Sequence, residues 1–145
     1  MVESLCCTYG KAVGNGFHTF PDSAVLASLT CTDLRNLSVG FRDRYILDAA
    51  RKWVSGEINI DTVNNAPLIE ARAELMKITG VGSKVANCTL LFGASRFDAF
   101  PEDVWIKRAM NVLFPEGLSE NLKPFAGIIQ QYIFYYAREN LKKTI

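Results

Sequence analysis

Residues 75–88, LMKITGVGSKVANC, decide the fold of this chain. Apolar residues at helical spacing predict a helix over residues 66–78 and another over 83–92, joined by a tight Gly-Val-Gly turn. Gly80 and Gly82 permit positive φ angles or a close approach of another backbone, and Ser83 is the predicted N-cap of the second helix. The stretch therefore predicts a helix-hairpin-helix motif over about residues 70–93. Its turn directs free backbone N–H groups outward, which suits a phosphate.

Lys84 stands in the first turn of the second predicted helix, where the helix dipole favours acidic side chains over basic ones. That field, together with an expected partial burial, favours the neutral and nucleophilic form of the amine. A lysine placed at a local electrostatic cost is a candidate nucleophile.

A second motif, FPEDVW at residues 100–105, precedes an apolar-periodic run. Asp103 is the predicted N-cap of a helix over residues 104–113. A cap is the simplest interpretation of an aspartate at this position. The combination of Asp103 with Lys84, directly after a Gly-x-Gly hairpin, indicates a functional pair instead.

The remaining chain shows no convincing run of alternating apolar and polar residues, so the expected class is all-α. A loop is predicted through Gly14-Asn15-Gly16. Further helices are predicted over residues 1–9, 24–29, 34–39 (capped by Thr30 or Thr32), 42–54, 60–64, and from Leu122 or Pro124 to Leu141.

Together the hairpin, Lys84 and Asp103 resemble the helix-hairpin-helix DNA glycosylase superfamily, with its Gly/Pro-rich turn and catalytic aspartate. Within it they are most similar to the 8-oxoguanine DNA glycosylase/lyase family, and residues 1–6, 40–45 and 124–127 also resemble that family in the same order. The resemblance implies one multi-helix domain over residues 1–145. It also implies that the chain begins inside the family's domain, without the usual N-terminal region.

The resemblance implies a bifunctional enzyme of base-excision repair, which removes an oxidised purine (8-oxoguanine) from double-stranded DNA and then acts as an abasic-site lyase. The damaged nucleotide is flipped out of the stack so that its sugar can be reached. Lys84 then attacks C1′ and forms a Schiff base, which leads to strand cleavage by β-elimination. Asp103 stabilises the positive charge that develops on the sugar.

Four residues correspond to the family's base pocket. Cys88 and Phe134 would sandwich the purine and Gln130 would bind its edge, while Trp105 would lie near the flipped nucleotide. Gln130 and Phe134 are four residues apart, so one helix face can present both. Packing is the alternative interpretation for Cys88, Phe134 and Trp105, because small thiols and aromatic side chains are commonly core residues.

Five residues correspond to DNA contacts in the family. Phe41 would wedge into the base stack and Arg42 would read the partner base, although Arg42 alone could equally be a solvated surface charge. The backbone N–H groups of Gly80, Gly82 and Val85 would hold one phosphate.

No metal site or iron–sulfur cluster is expected, because the cysteines form no C-x-x-C pair and lack a histidine at metal-ligand spacing. The four-cysteine pattern of endonuclease III-like relatives is absent after Cys88. The family suggests a monovalent cation held by hairpin carbonyls such as those of Ile78 and Val81.

The composition is that of a folded globular protein, with 49% hydrophobic and 21% charged residues. A net charge of +1 argues against a general DNA-coating protein but is compatible with an enzyme that has a local basic rim. Candidates for that rim are Arg42, Arg44, Lys84, Arg96, Lys107 and Arg108. No membrane span or secretory leader is predicted, so we expect a protein of the cytoplasm (nucleoid-associated) or the nucleus, not a secreted one. We also expect it to be a monomer.

Two other functions fit part of the pattern. A non-catalytic helix-hairpin-helix DNA-binding module, or an inactive fragment of such an enzyme, would use Lys84 only as a phosphate contact. A relative acting on an alkylated base would generally lack the lysine. The joint presence of Lys84, Asp103, Gln130 and Phe134 favours the 8-oxoguanine enzyme, because a pure binding module needs only the hairpin.

Overall fold

The computed structural model describes residues 1–140, and within them the predicted all-α class is confirmed. The helices are α1 (Val2–Tyr9), α2 (Ser23–Ser28), α3 (Cys31–Arg35), α4 (Asp43–Val54), α5 (Ile60–Asn65), α6 (Leu68–Met76), α7 (Ser83–Gly93), α8 (Val104–Leu113) and α9 (Ala126–Asn140). Two 3₁₀ segments, Gly40–Arg42 and Glu120–Phe125, precede α4 and α9.

The loop predicted around Gly14 to Gly16 is instead the turn of a small β-hairpin. Strands β1 (Ala12–Gly14) and β2 (Phe17–His18) pair in the antiparallel direction. Asn15 and Gly16 both have positive φ, at 52° and 77°. An Asn-Gly pair in this conformation is the common sequence signal for a two-residue hairpin turn, because its twist matches that of the strands.

Helix α3 begins and ends earlier than the helix predicted over residues 34–39. Thr30, one of the two predicted caps, forms a capping box with Asp33: the Asp33 N–H donates to Thr30 Oγ1 at 3.3 Å, and the Thr30 N–H donates to Asp33 Oδ2 at 2.8 Å. This pair starts the helix at Cys31. After Arg35 the chain turns, and Ser38 has a positive φ of 57° that does not continue a helix.

The last predicted helix is divided by Pro124. Residues Glu120–Phe125 form a 3₁₀ segment, and α9 begins only at Ala126. Proline lacks an N–H and clashes with the preceding helical turn, so it separates the two segments. Leu141, the predicted end of this helix, lies outside the described residues.

The contacts of the chain group into two units, which are described separately; the single-domain organisation stays a prediction. Unit 1 contains residues 1–59 and 77–80, and unit 2 contains residues 60–76 together with the described residues from Val81 onward. In unit 1, α2 packs against α4 around a buried cluster of Leu5, Leu26, Leu34, Val39, Leu47 and Ala50. In unit 2, α8 packs against α9 around Ile106, Ala109, Ile133 and Ala137.

Within unit 1, α4 holds the segment of residues 77–80 in place. The Thr79 N–H donates to Asp48 Oδ2 at 2.7 Å, and Lys52 Nζ donates to the carbonyl of Lys77. Gly80 has a φ of +82°, and a Cβ on it would lie 2.6 Å from the Tyr45 ring. This position therefore requires glycine for two reasons, a left-handed backbone and contact with an aromatic ring.

Gly80→Ala should lower the free energy of unfolding by more than about 1 kcal/mol, because a side chain at this φ is strained and the added Cβ collides with the Tyr45 ring. Urea denaturation measures the effect. Gly93→Ala is the control, because its Cβ would only reach ordinary contact with Thr89 at 3.8 Å and alanine favours helices. Equal stability of the two variants would contradict the argument.

Protonation of Asp48 should make the protein less stable in acid. The Thr79 backbone N–H holds the pKa of Asp48 below its ordinary value of 3.8 against the opposing effect of burial, with a further contribution from Lys52. A carboxyl group whose pKa is lowered by folding stabilises the folded state above its unfolded pKa, and this contribution is lost as pH falls.

The stability difference between wild type and Asp48→Asn, measured by urea denaturation, should therefore shrink as pH falls through the ordinary aspartate value of 3.8. A difference that stays constant from about pH 6 to about pH 2.5 would show that the Asp48 charge does not stabilise the fold.

Candidate active site

Lys84 and Asp103 lie together in unit 2. Lys84 is the second residue of α7, after the N-cap Gly82. Asp103 is the N-cap of α8, as predicted, and its Oδ1 accepts a hydrogen bond from the Ile106 N–H at 2.9 Å. Its other oxygen, Oδ2, is 3.9 Å from Lys84 Nζ. The first turns of two helices thus place an amine and a fixed carboxylate within ion-pair distance.

Two local expectations were wrong. Gly82, not Ser83, is the N-cap of α7: Gly82 is extended at φ −94° and ψ 179°, and Ser83 is already helical. Lys84 is more open than expected, with its side chain 57% exposed. The reason is that the first turn of α7 lies at the surface, where Ser83 and Val85 are exposed as well.

A cleft of about 450 Å³ adjoins Lys84. It contains basic side chains and two carboxylates, so the cleft is polar and mixed in charge. Its lining residues are Leu68, Arg72, Ser83, Lys84, Asn87, Asp98, Phe100, Glu102 and Lys107.

The predicted base-pocket residues lie on three helices of the same unit. Cys88 is a half-buried free thiol on α7, and Gln130 is buried on α9, where its Oε1 accepts from the Gln131 side chain. Phe134 packs against the α8–α9 core with Arg138 stacked 5.8 Å from its ring centroid. Within residues 1–140 no hydrogen bond or ring contact joins Cys88 to Gln130 or Phe134. Trp105 is partly exposed in the first turn of α8.

Phe41 and Arg42 form an exposed tip in unit 1, on the 3₁₀ turn before α4. The Phe41 side chain is 71% exposed; its ring meets the edge of Tyr45 at 6.2 Å between centroids, and the Arg42 guanidinium lies 4.8 Å from the same ring. An adjoining cleft of about 830 Å³ is lined by Arg35, Ser38, Gly40, Phe41, Asp43, Arg44, Tyr45 and Thr79.

Sequence analysis missed Asp43, a buried charge beside this tip. Its Oδ2 is 2.7 Å from Arg35 Nε, a charge pair without an aligned hydrogen bond, and its Oδ1 accepts from the Arg44 N–H. Burial would raise the pKa of Asp43, but the Arg44 N–H and the Arg35 charge outweigh it and hold the pKa below the ordinary value. A signal was present, because Asp43 precedes Leu47 by four residues and therefore lies on the buried face of α4.

The two hairpin residues of unit 2 that were predicted to hold a phosphate, Gly82 and Val85, are exposed. The third, Gly80, lies in unit 1 with the positive φ described above.

Arg96 does not belong to the predicted basic rim. Its side chain is only 17% exposed and forms an ion pair with Asp98. The same guanidinium donates to the carbonyls at the end of α5, those of Val63, Asn64 and Ala66. Arg96 therefore satisfies the unpaired carbonyls of a helix terminus inside unit 2.

Within residues 1–140 the four cysteines are free, and no group of three or more His, Cys, Asp or Glu side chains is arranged to hold a metal ion. No helix in this part of the chain combines the length and apolar character needed to cross a membrane.

The chain is similar in sequence to N-glycosylase/DNA lyases, although no family model matches it. It is 32% identical to a probable N-glycosylase/DNA lyase of Methanothermobacter thermautotrophicus, over 96% of this chain and 54% of that protein. It is 37% identical to the N-glycosylase/DNA lyase of Saccharomyces cerevisiae, over 74% of this chain and 33% of that protein.

Solved structures agree with the sequence comparison. A complex of Clostridium acetobutylicum 8-oxoguanine glycosylase/lyase with double-stranded DNA containing cytosine opposite 8-oxoguanine matches with a TM-score of 0.81 and 32% identity. MBOgg1 with a low-affinity DNA ligand matches with a TM-score of 0.85 and 36% identity. Each match covers 97% of this chain and 53% of the other.

The helical fold and its hairpin are those of the helix-hairpin-helix DNA glycosylases. The chain belongs to the N-glycosylase/DNA lyase family that includes the 8-oxoguanine glycosylases. It spans about half the length of the Methanothermobacter relative and of the two solved structures.

Arg96→Ala should lower the free energy of unfolding by about 1–3 kcal/mol, because it leaves buried carbonyls and Asp98 without their charged donor. Urea denaturation measures the loss. Lys107→Ala, an exposed cation of the cleft, should change stability by no more than about 0.5 kcal/mol. If both variants have the wild-type midpoint of urea unfolding, the hydrogen bonds from Arg96 to the end of α5 do not stabilise the fold.

Proposed function

We propose that this chain carries the catalytic centre of a bifunctional glycosylase/lyase that removes oxidised purine, 8-oxoguanine, from double-stranded DNA. The observation that carries the proposal is the 3.9 Å separation between Lys84 Nζ and Asp103 Oδ2. The exposed amine of Lys84 can reach a sugar, and the Asp103 carboxylate, anchored by the Ile106 N–H, can stabilise the positive charge that develops on that sugar. The family's 8-oxoguanine enzyme bound to lesion-containing DNA supports this choice of substrate.

In the proposed reaction the neutral amine of Lys84 bonds to C1′ as the bond from C1′ to the base breaks, and the base leaves with that electron pair and takes up a proton. The amine loses its proton, and the C1′–O4′ bond opens to give a C1′=N imine with O4′ protonated. Loss of a proton from C2′ then expels the 3′ phosphate by β-elimination. Water finally hydrolyses the imine and frees Lys84.

Asp103 serves the first step in this scheme. Positive charge develops on the sugar as the base departs, and a carboxylate beside C1′ stabilises it. The Ile106 N–H holds one carboxylate oxygen, so the other stays directed at the reaction without reorganising.

Recognition of the lesion is assigned to the base-pocket residues on α7, α8 and α9. Cys88 and Phe134 sandwich the purine, Gln130 binds its edge and Trp105 lies near the flipped nucleotide. The buried amide of Gln130 supports this assignment, because a purine edge offers complementary hydrogen-bonding groups.

Contacts to the rest of the duplex are assigned to the hairpin and to the exposed tip. The backbone N–H groups of Gly80, Gly82 and Val85 hold a phosphate, Phe41 wedges into the stack and Arg42 reads the opposite base. The 71% exposure of Phe41 supports the wedge, since an aromatic ring this open gains little from packing within the protein.

The wider biology is part of the same proposal. The protein acts as a monomer in base-excision repair, in the cytoplasm (nucleoid-associated) or the nucleus, without an iron–sulfur cluster or other required cofactor. A monovalent cation at the carbonyls of Ile78 and Val81 is the single ion that the family suggests.

Borohydride trapping tests the lysine chemistry. A duplex with 8-oxoguanine opposite cytosine, and a second duplex with an abasic site, should each form a covalent adduct that is lost in Lys84→Gln, because borohydride reduces the imine to a stable amine. Lys123→Gln is the control, since it removes an equivalent positive charge from an exposed position in the same unit. Denaturing gels measure the adduct.

Each other result of this experiment has a definite meaning. Trapping on the abasic duplex alone would retain the lyase and reject lesion recognition by this chain. A folded protein that binds both duplexes and traps neither would reject the enzyme and leave a DNA-binding module.

Asp103→Asn should slow base excision by about 10²- to 10³-fold, because it removes the charge that stabilises the sugar. Asparagine caps helices as well as aspartate does, so the melting temperature should stay close to that of wild type. Single-turnover kinetics and thermal denaturation measure the two effects. A wild-type excision rate in this variant would remove Asp103 from the mechanism.

A further inference from the structure

We propose that Asn87 is a positioning residue that sets the distance between Asp103 and Lys84; this inference rests on the function proposed above. Asn87 lies on α7, three residues after Lys84 and therefore on the same side of the helix. It is 6% exposed and lines the cleft that adjoins Lys84.

Asn87 connects α7 to the segment that leads into Asp103. Its Nδ2 donates to the carbonyl of Phe100 at 2.9 Å, three residues before Asp103. The group facing Phe100 has to be the amide nitrogen, because a carbonyl can only accept. Pro101, buried between the two, restricts the backbone through its ring. A hydrogen bond that fixes the position of Phe100 therefore also restricts the position of Asp103 at the start of α8.

The same segment is also held by α9. The Gly127 N–H donates to the Phe97 carbonyl at 2.8 Å, and a Cβ on Gly127 would lie 2.4 Å from the Ala99 carbonyl. Residues 97–100 are thus held by contacts to α9 and by the hydrogen bond from Asn87. Among the hydrogen bonds of residues 1–140, the Asn87 bond joins residues 97–100 to the helix of Lys84, and just before them the Arg96 N–H donates to the Leu90 carbonyl of the same helix at 2.9 Å.

Asn87 is also only half satisfied. Its Oδ1 is buried and accepts no hydrogen bond within residues 1–140. Buried amides in structural roles normally pair both of their polar ends. An unpaired buried acceptor is an exception that calls for a functional explanation, and here it belongs to a residue that lines the cleft of Lys84.

Two readouts test the proposal in the full chain carrying Asn87→Leu, which keeps the volume but removes the donor. The first is the single-turnover rate of base excision from the 8-oxoguanine duplex, the step assigned to Asp103, which should fall about 10- to 100-fold at unchanged DNA affinity, as expected when reacting groups are displaced by about 1 Å. The second is hydrogen exchange of the Ile106 amide. That N–H lies in the first turn of α8 and is bonded to Asp103 Oδ1, so its exchange reports the carboxylate directly and should quicken about tenfold.

Ala71→Gly is the matched control, since it weakens the buried interior of α6 in the same unit and removes none of the hydrogen bonds described for residues 97–103. It should lower the melting temperature while leaving the base-excision rate and the Ile106 exchange at wild-type values.

Ile106 exchange in Asn87→Leu that matches the Ala71→Gly control would overturn the proposal, whatever the rate. A wild-type protein that forms no adduct would refute the proposed function alone, because Ile106 exchange would still decide whether Asn87 positions Asp103.

Discussion

The tight turn at residues 79–82 is the constraint on which the rest of this chain depends. Gly80 takes a left-handed conformation against the Tyr45 ring, and Asp48 accepts the Thr79 N–H one residue earlier. A side chain at Gly80 would meet both a steric and a conformational penalty. These contacts hold residues 77–80 against α4 within unit 1.

The two proposed catalytic groups come from helix starts, for opposite electrostatic reasons. Asp103 gains from the N-terminus of α8, because its carboxylate both caps the helix and complements the dipole. Lys84 is opposed by the same field at the start of α7. The negative charge of Asp103, 3.9 Å from Lys84 Nζ, opposes the unfavourable interaction of the lysine with the dipole of α7.

Several polar groups in unit 2 form hydrogen bonds that hold the segments between helices near the proposed site. Arg96 binds the end of α5, Asn87 binds the Phe100 carbonyl, and Gly127 binds the Phe97 carbonyl. These bonds act on backbone carbonyls of residues between helices. An irregular segment that carries a functional residue requires such bonds, because it has no repeating hydrogen bonds of its own to hold it.

The amino-acid sequence by itself determined the helical class, the hairpin, the bounds of α8 and the cap at Asp103, because these follow from local periodicity and local hydrogen bonds. It also identified Lys84 and Asp103 as a pair. Only the tertiary structure decided the 57% exposure of Lys84, the withdrawal of Arg96 from the surface and the buried bond of Asn87. Each of these depends on partners distant along the chain, which local patterns do not encode.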